Sequence, residues 1–481
     1  MSFVDIGFWA LFLPLCLLCY GLARSARGQD LVLVAASLVF YASYDLAYLP
    51  LLILCTLISY LAGRLSVKSR RWLILGAAAE LGILLVFKYT GFFLGSLESL
   101  VPGLNMSLPK ILLPVGLSFY VFQSCSYLFD VYNGKLMPER DLISYSAFVC
   151  FFPTLISGPI QKGRQLLPQL KVRRRLRYED FSAFMLLFLW GAFLKLVIAD
   201  RLAIMTGRLF EDYYAYSGIV LMVNSLAYTL QIYADFAGYS YMAIAVARLF
   251  GLRLEDNFRQ PYLALNIQDF WRRWHISLTS WFTEYLYYPL GGSRRGTVRR
   301  YINIIIVFLV SGLWHGAAWS FVIWGALHAF YQVFAHLSRP LRQKLYARLG
   351  LDTGCAAFRA GQRVVTFSLV SFAWIFFRSE NLKSALVYCR NMFRDIQPWA
   401  LFDGTLTSFG IGPMDMAVLL AAVALLVLVS VLREKGMNSE AVLRQPILAR
   451  GLVCWGLFMA CLIFGAYGGE YSANAFIYAG F

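Results

Sequence analysis

Charged side chains are scarce: they make up 14% of the 481 residues, against roughly 25% in soluble domains. Length alone would suggest about three soluble domains. Hydrophobic residues reach 60% and aromatics 17%, and mean hydropathy is +0.63. No water-soluble fold of this size can cover so much apolar surface. A secreted enzyme, a disulfide scaffold and a disordered chain are excluded with it. The composition predicts an all-α polytopic membrane protein with lipid as its main solvent. Acidic residues are also few, 26 against 43 Lys and Arg, which leaves a net charge of +17. In a soluble protein that excess would point to nucleic acid. Here the basic clusters interrupt apolar runs, as cytoplasmic loops and interfacial helices do over anionic lipid. No nucleic-acid partner is expected.

Recognisable nucleotide and protease signatures are missing too. There is no Walker loop, GxGxxG, GxSxG or HExxH, which argues against a P-loop transporter and a membrane zinc protease. No metal site is expected. Of the nine cysteines, Cys16 and Cys19 have formal CxxC spacing. They sit inside an apolar span with no second pair, so structural thiols are the reading. No internal repeat, low-complexity tract or separate soluble domain is present, and the whole chain is expected to be one membrane-embedded domain.

A span needs about 20 apolar residues. The first, from about 8 to 22, has no basic segment before it and Arg24 and Arg27 after it. That argues against a cleaved signal peptide and places the N-terminus outside. Spans near 31–45 and 48–63 return inward to Arg64, Lys68, Arg70 and Arg71. The span 73–95 leads to an outer loop poor in positive charge, and 111–132 returns to Lys135 and Arg140. Both flanks of 142–160 are basic, and Pro153 and Gly158-Pro159 break it. It reads as re-entrant, which requires shielding by protein or a water-filled cavity.

Residues 181–200 cross outward. Residues 217–250 make one tilted span, or two with a break near Gly238. The stretch 251–300 is basic and cytoplasmic. In it Asn266 or Asp269 can cap a helix on which Trp271, Trp274, His275, Leu278, Phe282 and Tyr285 recur. An interfacial amphipathic helix is predicted, stopped by Pro289 and Gly291-Gly292. Residues 301–336 are apolar except at S-G-L-W-H-G, 311–316, with basic residues on both sides. A hairpin broken near the bilayer centre is expected. Later spans lie near 363–377, 413–432 and 452–468. Arg433, Lys435, Arg444 and Arg450 mark a cytoplasmic loop, so the tail 469–481 is expected outside.

Only four histidines occur, at 275, 315, 328 and 336. His315 lies between Gly312 and Gly316 in a stretch otherwise fit for lipid. An ionisable residue at that depth is a functional candidate by default. Neutral imidazole is tolerable there and imidazolium is not, which leaves the ring available as a base. A histidine that only hydrogen-bonds between helices fits the sequence equally. His328 fits that structural role better, and His336 ends a span at the interface. His275 sits in F-W-R-R-W-H-I-S-L. Either tryptophans and arginines anchor a helix at the headgroups, or Arg272, Arg273 and Trp274 receive a polyanionic donor while His275 faces a cavity. Asp235, in Q-I-Y-A-D-F-A-G-Y-S, either contributes to that donor site or pairs with a buried cation such as Lys195.

The runs Q-D-F-W-R-R-W-H-I-S-L-T-S-W-F-T-E-Y-L-Y-Y-P-L-G-G (268–292) and S-G-L-W-H-G-A-A-W-S-F-V-I-W-G-A-L-H (311–328) resemble the membrane-bound O-acyltransferase family. The resemblance is closest to its bacterial branch of alginate O-acetyltransferases and D-alanyl-lipoteichoic acid transferases. I-L-L-P-V-G-L-S-F-Y-V-F-Q (111–123), F-F-P-T-L-I-S-G-P-I (151–160) and D-F-A-G-Y-S (235–240) support it. The resemblance implies about ten to twelve membrane helices, with re-entrant and interfacial pieces, around a central funnel in thinned membrane. It places the catalytic core at 111–336. It makes His315 the catalytic histidine and His275 the second, nearer the cytoplasmic entrance. Relatives often carry an acidic residue where this chain has Tyr241, so no role of that carboxylate transfers.

F-I-Y-A-G-F (476–481) resembles an aromatic C-terminal motif of the same branch. Tyr478 is either an aromatic anchor in the headgroups or an acyl acceptor. A phenol of pKa about 10 needs a neighbouring base for the second role.

The function implied is transfer of an acyl group, acetyl first, from a cytoplasmic thioester to a hydroxyl of an exported cell-surface polysaccharide. Transfer is direct or through an extracytoplasmic acyltransferase or export partner. Acetyl-CoA or an acyl carrier protein is the donor substrate, and no bound cofactor is expected. The setting is a bacterial inner membrane. D-alanyl transfer from a carrier protein to teichoic acid is the nearest alternative. A lipid-linked glycan transporter using Asp235, and an export-complex scaffold, are alternatives of another class.

Overall fold

In the computed structural model, residues 1–101, 111–467 and 476–477 are described, and every regular element among them is helical. Eight helices are long and apolar enough to cross a bilayer: Leu49–Ser66, Arg70–Leu100, Tyr178–Glu211, Gly218–Leu249, Thr297–His315, Ala356–Arg378, Pro413–Glu434 and Ile447–Phe464. Shorter apolar helices add to them, including Phe8–Leu22, Ala26–Ala42 and Leu117–Tyr132. The chain is a multi-pass membrane protein.

Burial separates centre from rim. In Gly218–Leu249, 72% of the best apolar window is buried, against 17% in Pro413–Glu434 and 6% in Ile447–Phe464. The last two present their apolar sides to lipid, and Gly218–Leu249 is the central post. It runs unbroken through Gly238, which settles the one-or-two alternative in favour of a single helix. The glycine serves packing instead. A Cβ at Gly238 would meet the Gly191 carbonyl at 2.8 Å, and one at Gly191 would meet the Gly238 carbonyl at 2.6 Å. Two membrane helices thus touch backbone to backbone, as small residues permit. The neighbouring run Tyr178–Glu211 loosens into a π-type turn at Phe193–Ala199, a distortion common near functional sites.

The re-entrant stretch is two short helices, Leu142–Val149 and Phe152–Leu155, and residues 147–163 are buried throughout. Its non-helical backbone is satisfied by protein, as the re-entrant reading requires. Ser37 Oγ accepts from the Phe152 N–H at 3.0 Å, and Ser277 Oγ from the Ile160 N–H at 3.0 Å.

One expectation changes. The stretch after 266 is not one interfacial helix. Asn266 Oδ1 caps it by accepting from the Asp269 N–H at 2.8 Å, but Ile267–Arg273 and Ile276–Phe282 are separate helices. His275 stands between them with φ +43°, a left-handed turn that a continuous helix cannot contain. The regular spacing of large side chains had concealed this break. Their burial (Phe270, Trp274 and Leu278 among them) puts the segment in the protein core. The hairpin break lies after His315 as expected, between Thr297–His315 and Trp319–Leu337. Each arm has 19 residues, about 28 Å of helix, nearly the full hydrocarbon thickness. The turn joins the ends of these two arms.

Glycines bring those arms together. A Cβ at Gly312 would lie 2.3 Å from the Phe321 carbonyl, and one at Gly325 would lie 2.3 Å from the Phe308 carbonyl. Gly312→Ala should therefore splay the hairpin and lower stability by about 1–3 kcal/mol. Thermal unfolding in detergent measures it, and an unchanged midpoint would show that the arms can part without cost.

Candidate functional site

His315 ends the Thr297–His315 helix and is 1% exposed. The last turn of a helix leaves carbonyls without intrahelical partners, and consecutive residues of Arg70–Leu100 cover two of them. Tyr89 Oη donates to the Leu313 carbonyl at 2.6 Å. Lys88 Nζ donates to the Trp314 carbonyl and lies 3.3 Å from Ser118 Oγ. A cation at a helix C-terminus also offsets the helix dipole. Lys88 further sits 5.7 Å above the Trp314 ring. The His315 ring is enclosed by Trp314 at 4.9 Å, Trp324 at 5.0 Å and Phe377 at 5.3 Å between centroids. The Nε1 atoms of Trp314 and Trp324 are buried and have no hydrogen-bond partner among the described residues. Unsatisfied buried donors cost roughly 1–3 kcal/mol each. They are available to an oxygen of a bound molecule.

The two sequence-predicted histidines share this site: Trp314 packs against both, its ring 6.1 Å from that of His275. His275 is fully buried, and burial pushes its imidazole down to about 3, so the ring is neutral. Its Nδ1 is 3.0 Å from Asn257 Oδ1. Asn257 Oδ1 also accepts from Ser277 Oγ at 2.9 Å, and Asn257 Nδ2 donates to Ser240 Oγ at 3.2 Å. The network fixes the ring and explains how the left-handed turn at His275 is held. His328 takes the structural role expected of it. Its Nδ1 accepts from Trp271 Nε1 at 3.2 Å. His336 lies between Arg300 and Tyr301.

A cavity of about 620 Å³ opens beside these groups. Arg272, Arg300, Tyr288 and Ser311 are among its lining residues. Ser311 precedes His315 by one helical turn. Arg300 is eleven residues before Ser311 on the same helix, a rise of about 16 Å. Only part of the expected donor set is here. Arg272 lines the cavity. Arg273 is drawn away into a bidentate pair with Glu434 at 2.7 and 3.0 Å and a bond to Asp269 at 3.0 Å. Trp274 is 1% exposed and packs against Phe270, Phe258 and Trp374.

Asp235 also lies elsewhere. Its Oδ1 accepts from Lys195 Nζ at 2.7 Å, and Lys195 pairs with Asp200 at 2.8 Å. All three are buried. The other Asp235 oxygen accepts from the Ile477 N–H at 2.7 Å. Lys195 Nζ stands 4.2 Å from the Phe476 ring centroid, and Phe476 packs edge-on to Tyr239 at 4.8 Å. Phe476 and Ile477 are thus held against Asp235, Lys195 and Tyr239. Tyr478 lies outside the described residues.

Several supporting groups had no signal in the sequence. Lys88 and Tyr89 reach the backbone just before His315 from more than 220 residues away, and Asn257, itself held by Ser277, bonds His275. Glu284 is another. It forms a bidentate pair with Arg164, both bonds 2.6 Å, and binds Lys162 at 2.9 Å and Lys135 at 2.7 Å. Arg164, helped by the two lysines, holds the Glu284 carboxyl well below the usual carboxylate range. This cluster ties the re-entrant region to the segment that carries His275.

Comparison with known proteins gives a consistent picture. A family model described as membrane-bound O-acyltransferase matches residues 139–359. The chain is 38% identical over 434 residues to "Probable alginate O-acetylase AlgI" of Pseudomonas putida, covering 88% of this chain and 87% of that protein. To the "Peptidoglycan O-acetyltransferase" of Helicobacter pylori it is 36% identical over 427 residues, 81% of this chain and 78% of the other. To the "Teichoic acid D-alanyltransferase" of Bacillus subtilis the likeness is 26% over 231 residues, 45% of this chain and 57% of the other.

Proposed function

The chain belongs to the membrane-bound O-acyltransferase family, and from that premise we propose that it moves an acetyl group from a cytoplasmic thioester to a hydroxyl of an exported cell-surface polysaccharide, directly or through an extracytoplasmic partner. The observation that carries this reading is the placement of His315. A cavity carrying Arg272 and Arg300 reaches Ser311, one turn from the imidazole. Phe377, at the end of a different spanning helix, also packs against the ring.

In this reading acetyl-CoA, or an acyl carrier protein, docks on the basic side. Arg272 and Arg300 hold its anionic portion, and the thioester reaches toward Ser311. His315 accepts the proton of the acceptor hydroxyl as that oxygen attacks the thioester carbonyl. The C–S bond breaks and the thiolate leaves. The two indole N–H groups beside His315 are placed to stabilise the oxyanion that forms on the way. His275 acts as a positioning residue, holding Trp314 through ring packing while Asn257 holds His275. The catalytic core is the region 111–336, in a bacterial inner membrane, with the tail 469–481 on the outer side.

The relatives named for alginate and peptidoglycan O-acetylation are 36–38% identical over most of the chain. The D-alanyl relative matches 45% of it, so acetyl is favoured. A glycan transporter would need a carboxylate facing its passage, and Asp235 is committed to Lys195 and Ile477.

Tyr478 is the proposed relay that takes the acyl group before it moves to the glycan. The resemblance of F-I-Y-A-G-F (476–481) to the aromatic C-terminal motif of this branch supports it. Protein incubated with acetyl-CoA should carry one acetyl ester on its C-terminal peptide by mass spectrometry, lost in Tyr478→Phe together with transfer. Normal transfer by Tyr478→Phe would remove the relay and leave direct attack.

A further inference from the structure

A second pocket, distinct from the donor cavity, has a volume of about 310 Å³ and is lined by Glu211, Tyr213, Tyr214, Arg378, Glu380 and Ser384, among others. It joins the end of Tyr178–Glu211 to the end of Ala356–Arg378. The basic stretch Arg339, Arg342, Lys344 and Arg348 precedes the second helix, so positive charge places that beginning in the cytoplasm. Its end at Arg378, and the pocket with it, then faces outside.

The chemistry of the lining is specific. Tyr214 is 66% exposed, and its ring lies 4.3 Å from that of Tyr213, with the two hydroxyls 3.1 Å apart. Tyr213 is buried and backs Tyr214, whose ring is the aromatic face open to solvent. The Arg378 guanidinium sits 5.4 Å over the Phe210 ring. Neither Arg378 nor Glu211 nor Glu380 takes part in an ion pair among the described residues. A guanidinium can donate to sugar oxygens, and carboxylates can accept from sugar hydroxyls. The exposed Tyr214 ring suits the apolar C–H face of a pyranose ring. Two carboxylates disfavour the polyphosphate of an acyl-CoA, and so many polar groups disfavour a lipid tail. The pocket and the reaction centre draw on the same helix end. Arg378 directly follows Phe377, whose ring is 5.3 Å from that of His315.

We propose that this outer pocket binds pyranose units of the acceptor glycan through the Tyr214 ring, backed by Tyr213, together with Arg378 and the flanking carboxylates. The proposal rests on the reading of His315 as the transfer centre only for its purpose, since sugar binding itself needs no catalysis. The full-length protein in detergent is titrated calorimetrically with a short neutral gluco-oligosaccharide and, separately, an oligo-mannuronate. Wild type should bind at least one of them saturably, and the responding arm identifies the glycan class. His315→Ala should bind equally well, which separates this proposal from the catalytic one. Tyr214→Ala, an exposed change that leaves the core intact, should weaken binding by about ten-fold or more. Arg378→Gln should weaken it likewise. Saturable binding of neither saccharide, or wild-type affinity in Tyr214→Ala, would overturn the proposal.

Discussion

His315→Ala is expected to lower acyl transfer by about 10²–10⁴-fold, the usual contribution of a general base, while the protein still folds and binds donor. The two halves of that result have different physical origins. Transfer falls because no other imidazole can replace the lost one. His275 is held to Asn257 at 3.0 Å, and His328 takes the Trp271 indole proton at 3.2 Å. Donor binding survives because the cavity that carries Arg272 and Arg300 is not lined by His315. The expected kinetic signature is therefore a lower kcat with an unchanged donor KM. His315→Gln fills more of the space between Trp314, Trp324 and Phe377 and should lose transfer just as fully. A variant that loses donor affinity to the same degree as rate would mark His315 as a structural histidine.

The second large effect is expected from Lys195→Met. Lys195 is 1% exposed and pairs with both Asp200 and Asp235. Removing one partner of a buried ion pair costs about 3–5 kcal/mol, because the remaining charge is left uncompensated. Here two carboxylates lose their shared cation inside a membrane-spanning bundle. The thermal midpoint in detergent should fall steeply, and release of the Phe476–Ile477 segment should follow. Lys195→Met combined with Asp235→Asn should recover part of the stability, since one orphaned charge is removed. That double variant should still leave the tail more open to carboxypeptidase, because Asp235 Oδ2 is the acceptor for the Ile477 N–H. Wild-type stability in the single variant would show that the cluster is not an ionic clamp.

Much of this was legible in the residues. Scarce charge and long apolar runs are enough to specify a membrane solvent. The Pro153 and Gly158-Pro159 breaks are enough to specify backbone shielded at depth. W-H-G marked the end of the hairpin arm, and Lys195 was foreseen as a partner for Asp235. What stayed hidden has a common cause. The split at His275 depends on Asn257 and Ser277, which hold a backbone turn that side-chain periodicity cannot reveal. Lys88 and Tyr89 looked like interruptions of a span. Their meaning comes from the carbonyls of Leu313 and Trp314, more than 220 residues away in sequence. Arg272 and Arg273 are adjacent and chemically alike, yet only the first lines the cavity. The helix turn and the position of Glu434 decide which, and neither is written in the local pattern.

The most direct measurement uses sealed vesicles with the protein reconstituted, labelled acetyl-CoA supplied on one face and acceptor glycan, with any partner it requires, on the other. Labelled glycan should form only when the donor meets the face bearing Arg272 and Arg300, and none should form with His315→Ala. Acetylation that requires donor and acceptor on the same face, or that survives the loss of His315, would contradict the account.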